Sequence, residues 1–339
     1  MNQDELSAQQ RLWWMITGHW LSQSISVVAR LGIADLLADG PKTSDELARA
    51  TDVNPDRLYR VLRFLAGMEV FTQAHDRRFG LTPLSECLRS NLKSSARYHA
   101  VMFGGEPYQA WGNLSYTVRT GEAAFDHTFG VPYFDYLGNH PETATWFNNA
   151  MTAGRWRAAD IATAYDFTEV KQVVDVGGGH GALLGYILAA HSHVHGVVFD
   201  LPQVVAGAGP HLDGLGLAGR FEAVGGSFFE TAPSGGDVYI LSQILHDWDD
   251  EPSLKILRTC RAAMSQRARL LIVDRVVLDD DQRSEAKALD LHMMVLLGGR
   301  ERTEREWSSL LADAGFTLQR IIPLPTGTPI IEARPRPTG

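Results

Sequence analysis

The chain has 339 residues, 45% hydrophobic and 21% charged, with a formal charge of −9 and a sequence pI ≈ 5.7. That is a globular composition with length for about two domains, and its acidity excludes a global pull toward nucleic acid. Two cysteines, Cys87 and Cys260, exclude a disulfide scaffold or a cysteine zinc site, while the polar start "MNQDELSAQQ" and the lack of an apolar run near ~18 residues predict a cytoplasmic protein with no membrane span.

In chain order, the first half reads as helical. Apolar residues recur at three- and four-residue spacing from Leu12 to Leu37, which predicts one long helix. Trp13, Trp14, Ile16, Trp20, Ile25 and Val28 give it more apolar surface than one face needs, so a covering partner is expected. Thr43 and Glu46 stand in capping-box positions. Asn54, Pro55 and Gly67 then supply an N-cap, a first helical position and a stop. The stretch "MEVFTQAHDRRFGLTPLSECLR" predicts a β-hairpin. Helix, helix, hairpin is the winged helix-turn-helix order. Charge argues against DNA binding, because residues 1–100 hold 12 Lys and Arg against 11 Asp and Glu, a net of +1. Arg57, Arg60 and Arg63 recur as a solvated helix face would. A packing or dimerisation module is the reading that remains. Residues 100–165 are helical segments rich in Trp, Tyr, Phe and His. They suit the wall of an aromatic-binding pocket or plain core equally well.

The second half alternates strands and helices. Strands are predicted over Gln172–Val176, Gly196–Asp200, Arg220–Val224, Asp237–Ser242, Arg269–Asp274, Phe316–Ile322 and Pro329–Glu332. Helices are predicted over Glu251–Met264 and Thr303–Ala314, the latter opening with a capping box of Thr303 and Glu306. This alternation predicts an α/β architecture with a doubly wound, mostly parallel sheet. The expected domains are 1–100, a helical connector over 101–165, and 166–339. His191, His193 and His195 alternate without a neighbouring ligand cluster, so a helix end entering a strand explains them and no metal is expected.

The first of these strands runs on into the glycines of "VVDVGGGHGALL", Val173 to Leu184. Ligands of doubly wound folds sit at the carboxyl ends of strands. Gly177, Gly178, Gly179 and Gly181 allow a tight turn and close ligand approach there. Asp200 ends the next strand, where a carboxylate can accept hydrogen bonds from both hydroxyls of a ribose. Gly177, Gly179 and Ala182 satisfy a dinucleotide fingerprint, so a nicotinamide cofactor fits. S-adenosylmethionine, a nucleoside without phosphates, fits too. A glycine turn serving packing alone would not explain Asp200.

The stretch "DVYILSQILHDWDDEPSLKILRTCRAAM", together with "VVDVGGGHG", "FDLP", "GGSFF" and "GGRERT" in that order, resembles the small-molecule O-methyltransferases. These S-adenosylmethionine-dependent enzymes include a plant phenolic type and bacterial antibiotic-tailoring relatives. The resemblance covers nearly the whole chain. It implies an N-terminal winged-helix dimerisation domain, a C-terminal Rossmann-like domain, and a homodimer. It implies methyl transfer to an aromatic hydroxyl, phenolic or polyketide-like, in secondary metabolism. Gly177, Gly179, Asp200, Leu201, Phe228, Gln243 and Trp248 fall in the cofactor motifs. Ser227 stands where the family usually has Asp, and Ser242 where plant members often have Lys. His246 falls on the general base, with Asp274 and Glu301 on the acidic positions around it. Asp274 replaces the commoner Glu, and Glu301 lies between Arg300 and Arg302, where a surface ion pair is a competing role. Asp247 reads as an N-cap for the following helix. Phe147, Asn148, Met151, His292 and Met294 align with segments lining the acceptor site, with helix core as the plain alternative for the last. Two other activities compete: a relative that binds the same cofactor but hydroxylates or decarboxylates, and an NAD-dependent oxidoreductase. A non-methylating relative has no need of His246, and the helical first half speaks against the oxidoreductase.

Overall fold

The computed structural model describes residues 6–92, 94–154, 158–325 and 327–337. It forms two compact units, Met1–Gly112 with Phe134–Gly154, and Asn113–Tyr133 with Arg155–Gly339. The 101–165 stretch is thus divided between them. Among the described residues, no helix is long and apolar enough to cross a membrane.

In the first unit the long helix expected from Leu12 to Leu37 is three: Ala8–Ile16, Gly18–Arg30 and Ile33–Leu36. Thr17 leaves helical geometry at φ −91°, ψ 7°, and its hydroxyl donates back to the Trp13 carbonyl at 2.8 Å. Such back-bonding offers the chain an alternative to helix continuation. Gly32 makes the second break at φ +68°. Leu12, Trp13, Trp14, Met15, Ile16 and Trp20 stay 42% to 70% exposed in the single chain. Val28, Ile33, Leu47, Leu58, Leu62, Phe71 and Phe79 build the core.

Helix Ser44–Thr51 carries the expected capping box, and Asn54 caps Pro55–Gly67 by accepting from Arg57 N at 3.1 Å. Strands β1 (Lys42–Thr43), β2 (Phe71–Gln73) and β3 (Arg78–Leu81) form an antiparallel sheet in the order β1-β3-β2. Arg57, Arg60 and Arg63 are exposed, as a solvated face requires.

The second unit holds a seven-stranded sheet. Its members are β4 (Gln172–Val176), β5 (His195–Asp200), β6 (Phe221–Gly225), β7 (Val238–Ser242), β8 (Arg269–Val273), β11 (Phe316–Ile322) and β12 (Ile330–Pro335). A separate short parallel pair joins β9 (Val276–Val277) to β10 (Arg302–Thr303). The large sheet runs β11-β12-β8-β7-β4-β5-β6, with β4 to β8 parallel and β12 antiparallel to both neighbours. One face packs Leu184, Ile187, Val198 and Leu212; the other packs Tyr239, Leu257, Trp307 and Phe316. Burial on both faces explains why "QVVDV", "VYILS" and "RLLIV" read as continuous apolar runs. The strand order reverses at β4, between β5 and β7, the switch point at whose carboxyl ends ligands of doubly wound sheets bind. The ring nitrogens of His191 and His193 bond the main-chain oxygens of Ala162 and Phe167, at 2.8 and 3.1 Å.

Candidate active site

The glycine turn follows β4. Gly177 and Gly179 adopt φ +72° and +60°, a region that L side chains avoid. A Cβ on Gly177 would meet Ile244 Cδ1 at 2.5 Å. The turn's amides bond internally. Gly177 N and Gly178 N donate to Phe199 O at 2.8 and 3.3 Å, and Gly181 N donates to Gly178 O at 2.9 Å. Gly179 N donates to Asp200 Oδ2 at 2.8 Å, and Leu201 N to Asp200 Oδ1 at 2.7 Å. A pyrophosphate site needs amides aimed outward. This turn spends its amides on the protein and sets a carboxylate beside them, which disfavours a dinucleotide. A nucleoside fits better, because each Asp200 oxygen takes one bond and keeps a lone pair for a ribose hydroxyl.

Phe228 follows β6 and is half-buried. Its ring stands T-shaped to Phe229 at 4.9 Å and to Trp248 at 6.4 Å, and Phe229 meets Trp248 at 4.9 Å. This edge-to-face cluster offers apolar surface to an aromatic base. Ser227 Oγ accepts from Phe229 N at 3.3 Å. Ser242 ends β7, and Gln243 follows at φ +55°, exposed, with its amide on Val273 O at 3.0 Å. Every residue expected at the cofactor lies at the carboxyl end of one of the strands β4 to β7 or on the segment that follows it.

His246 sits in the short 3-10 turn Leu245–Asp247, 7% exposed. Its Nδ1 meets Glu301 Oε1 at 2.9 Å, and its Nε2 lies 3.4 Å from Asp247 Oδ1. Of the two carboxylates expected to orient the ring, Glu301 makes the hydrogen bond. Glu301 is 3% exposed, so it is not half of a surface ion pair. Asp274 follows β8, 1% exposed, and neither of its oxygens has a hydrogen-bond partner among the described residues. Asp247 does not cap the next helix. Asp249 does, its side chain accepting from Asp250 N at 2.8 Å, while Asp247 turns toward the imidazole. Three acidic residues in "HDWDD" gave the cap several candidates; only the turn geometry chooses.

Burial alone would depress the imidazolium. Asp247, Asp274 and the Glu301 hydrogen bond outweigh it and raise His246 to about 9. Burial pushes the Asp247 carboxyl up to about 6 and that of Asp274 up to about 7, in each case against the pull of His246. His292 is pushed down to about 4, first by burial and then by the charge on His246. The site therefore concentrates negative charge around one imidazole, a setting that suits a cationic ligand.

His292 and Met294 lie on helix Glu285–Leu296, both half-buried, and Asp290 of that helix accepts Glu301 N at 2.9 Å. This helix packs against Ala124–Phe129 and Leu114–Thr120. Phe147, Asn148 and Met151 lie on helix Pro141–Gly154 of the first unit. Sequence reading missed Asp290, Gly299 and Arg302. Arg302 resembles any surface charge in the sequence, yet it is 0% exposed.

The family described as O-methyltransferase domain matches residues 111–317, and the O-methyltransferase dimerisation domain matches residues 13–91. The chain is 47% identical over 322 residues to a phenazine O-methyltransferase of Lysobacter antibioticus, covering 95% of this chain and 94% of that one. It is 39% identical over 329 residues to a 3-amino-4-hydroxybenzoate 4-O-methyltransferase of Streptomyces cremeus, covering 96% and 90%. Among solved structures, an O-methyltransferase from neocarzinostatin biosynthesis, in complex with S-adenosylmethionine and 2-hydroxy-5-methyl naphthoic acid, superposes with a TM-score of 0.84 at 32% identity, covering 93% and 96%. The sheet is thus the Rossmann-like sheet of class I methyltransferases, the N-terminal region is a dimerisation domain, and the chain belongs to the S-adenosylmethionine-dependent O-methyltransferase family.

Proposed function

We propose that His246 is the general base in methyl transfer to a hydroxyl of an aromatic small molecule in secondary metabolism. The observation that carries this is the 2.9 Å contact between Glu301 and His246 Nδ1. It fixes the proton on Nδ1 and leaves Nε2 of the neutral ring as the basic atom. A phenolic hydroxyl ionises near 10, so it is largely protonated at neutral pH. In the neutral form of the ring, whose share grows as pH rises toward 9, His246 Nε2 takes that proton as the oxygen attacks, and Glu301 with Asp247 stabilises the imidazolium that forms. S-adenosylmethionine supplies a methyl group already activated by a positive sulfur. The remaining task of the chain is alignment, which contributes up to ~7–11 kcal/mol in well-oriented reactions. Gly177, Gly179, Asp200 and Leu201 would hold the ribose end. Ser227, Phe228 and Trp248 would hold the base, and Ser242 and Gln243 the remaining cofactor contacts.

The acceptor is a substituted or fused aromatic phenol, as the phenazine, hydroxybenzoate and naphthoic acid of the relatives suggest. His292 and Met294 would face it from helix Glu285–Leu296, and Phe147, Asn148 and Met151 are proposed as acceptor residues by the resemblance alone. In this reading the chain comprises a dimerisation domain over 1–100, a connector over 101–165 and a catalytic domain over 166–339, and it works in the cytoplasm. His246→Ala tests the reading. Turnover falls by about 10²–10⁴-fold, while calorimetric affinity for S-adenosylhomocysteine stays within about twofold, since Glu301 and Asp247, the polar partners of the ring, are not among the cofactor residues named above. Unchanged turnover removes the base. Labelled methyl transfer across phenols, naphthols and anthraquinones identifies the acceptor.

A further inference from the structure

Four consecutive residues, Gly299 to Arg302, each address the turn that carries His246. A Cβ on Gly299 would lie 2.2 Å from His246 O and 2.5 Å from Asp247 C, so only glycine lets the two main chains approach this closely. Arg300 N donates to His246 O at 2.9 Å. Glu301 Oε1 takes His246 Nδ1 at 2.9 Å. Arg302 donates to Leu245 O and Trp248 O, each at 3.0 Å, and grips Asp250 Oδ1 through Nε at 3.0 Å and Nη2 at 2.8 Å. Ser253 Oγ, 3.2 Å from Arg302, donates to the same two carbonyls at 3.3 Å each.

The turn Leu245–Asp247 is three residues of 3-10 helix, too short to hold itself. Its carbonyls at 245 and 246, and that of Trp248 just after it, are held from this loop. The loop is itself anchored, because Arg302 pairs with Val276 in the β9–β10 ladder, two residues beyond Asp274. A buried guanidinium is costly unless its donors are satisfied. If packing were the only need, an apolar side chain would fill the space at less cost. Arg302 instead directs its donors at the turn and at Ser253 and Asp250, which follow it in the chain.

We propose that Gly299 and Arg302 are positioning residues for the base. They set the distance from Glu301 to His246 Nδ1, and so the basicity and direction of Nε2. This rests on the reading of His246 as the base. The charged and titratable groups facing the ring are Asp247 on its own turn, Asp274 after β8, Glu301 in the loop and His292 on helix Glu285–Leu296.

The test uses the full chain with Gly299→Ala, Arg302→Lys and Asp250→Asn. Asp250 has a side chain 53% exposed, so its variant loosens the Arg302 grip without burying an unpaired group. Three quantities are read: kcat, S-adenosylhomocysteine affinity, and the His246 ring titration by NMR in ¹⁵N-histidine-labelled, cofactor-free protein. In Gly299→Ala and Arg302→Lys, kcat falls by about tenfold to a hundredfold, the cost of small misplacements. Affinity falls by less than kcat, because Arg302 reaches a cofactor residue through the main-chain oxygen of Trp248 and not through its ring. The ring titrates at lower pH, because its bond to a carboxylate is weakened. Asp250→Asn shifts kcat and titration in the same direction, by less. Folded variants with the parent's ring titration overturn the proposal, as does a loss of kcat matched by an equal loss of affinity. If Arg302→Lys does not fold, the other two variants decide by the same readouts. His246→Ala separates the two claims. If it keeps turnover while Gly299→Ala still shifts the ring, the base assignment fails and the positioning stands. If it abolishes turnover while the loop variants titrate as the parent does, the positioning fails alone.

Discussion

At the scale of single residues, the site is defined by what surrounds one imidazole. Glu301 holds Nδ1, Asp247 lies by Nε2, and Asp274 is buried nearby with no hydrogen-bond partner among the described residues. All three raised groups have the same sign in their linkage to folding. His246 is raised from 6.5 to about 9, so the stability it contributes is complete below 6.5 and lost as pH rises through 9. Asp247, raised to about 6, and Asp274, raised to about 7, also hold protons that the unfolded chain has released. His292 has the opposite sign, but its contribution is lost only as pH falls from 6.5 toward 4. The cofactor-free protein therefore loses thermal stability between pH 6.5 and 9, and His246→Gln flattens that loss. Melting temperatures of the two proteins at both pH values check this; parallel slopes would count against a raised His246. Little of this was legible in the sequence. "LHDWDD" and "GGRERT" name the acids but not their partners, because which carboxylate meets which nitrogen depends on a loop 55 residues away.

At the scale of elements, the central parallel strands were legible almost to the residue, since a strand buried on both faces is a short apolar run with punctuated ends. Both capping boxes, at Thr43 with Glu46 and Thr303 with Glu306, formed as their spacing required. The first helix was not legible. Its periodicity continues through Thr17, and only the hydroxyl's bond to Trp13 O reveals the break. The glycine turn is the element whose demand on sequence is strictest. Gly177→Ala forces an L side chain to φ +72° and sets its Cβ against Ile244. It should destabilise by about 1–2 kcal/mol from backbone strain, read as a lower denaturant midpoint, and weaken S-adenosylhomocysteine binding at least tenfold (about 1.4 kcal/mol). Parent-like binding in a folded variant would mean that the turn is not the nucleoside's seat.

At the scale of the whole molecule, the two halves of the sequence serve two purposes. The second carries the chemistry at the carboxyl edge of its sheet. The first presents Trp13, Trp14, Met15 and Ile16 to solvent, more apolar surface than a monomer ordinarily leaves contiguous. Its place in the dimerisation domain predicts that a second copy covers this face. Trp13→Lys with Trp14→Lys should convert the dimer to a monomer in sedimentation velocity; an unchanged dimer would place the interface elsewhere. The central claim is that one carboxylate-held imidazole takes the acceptor's proton, and its most direct test is the pH dependence of kcat/KM with an acceptor hydroxyl that itself ionises above the range studied. The account predicts a rise with pH on loss of a single proton, its midpoint displaced from 6.5 toward 9. A profile flat from pH 6 to 9 would contradict it.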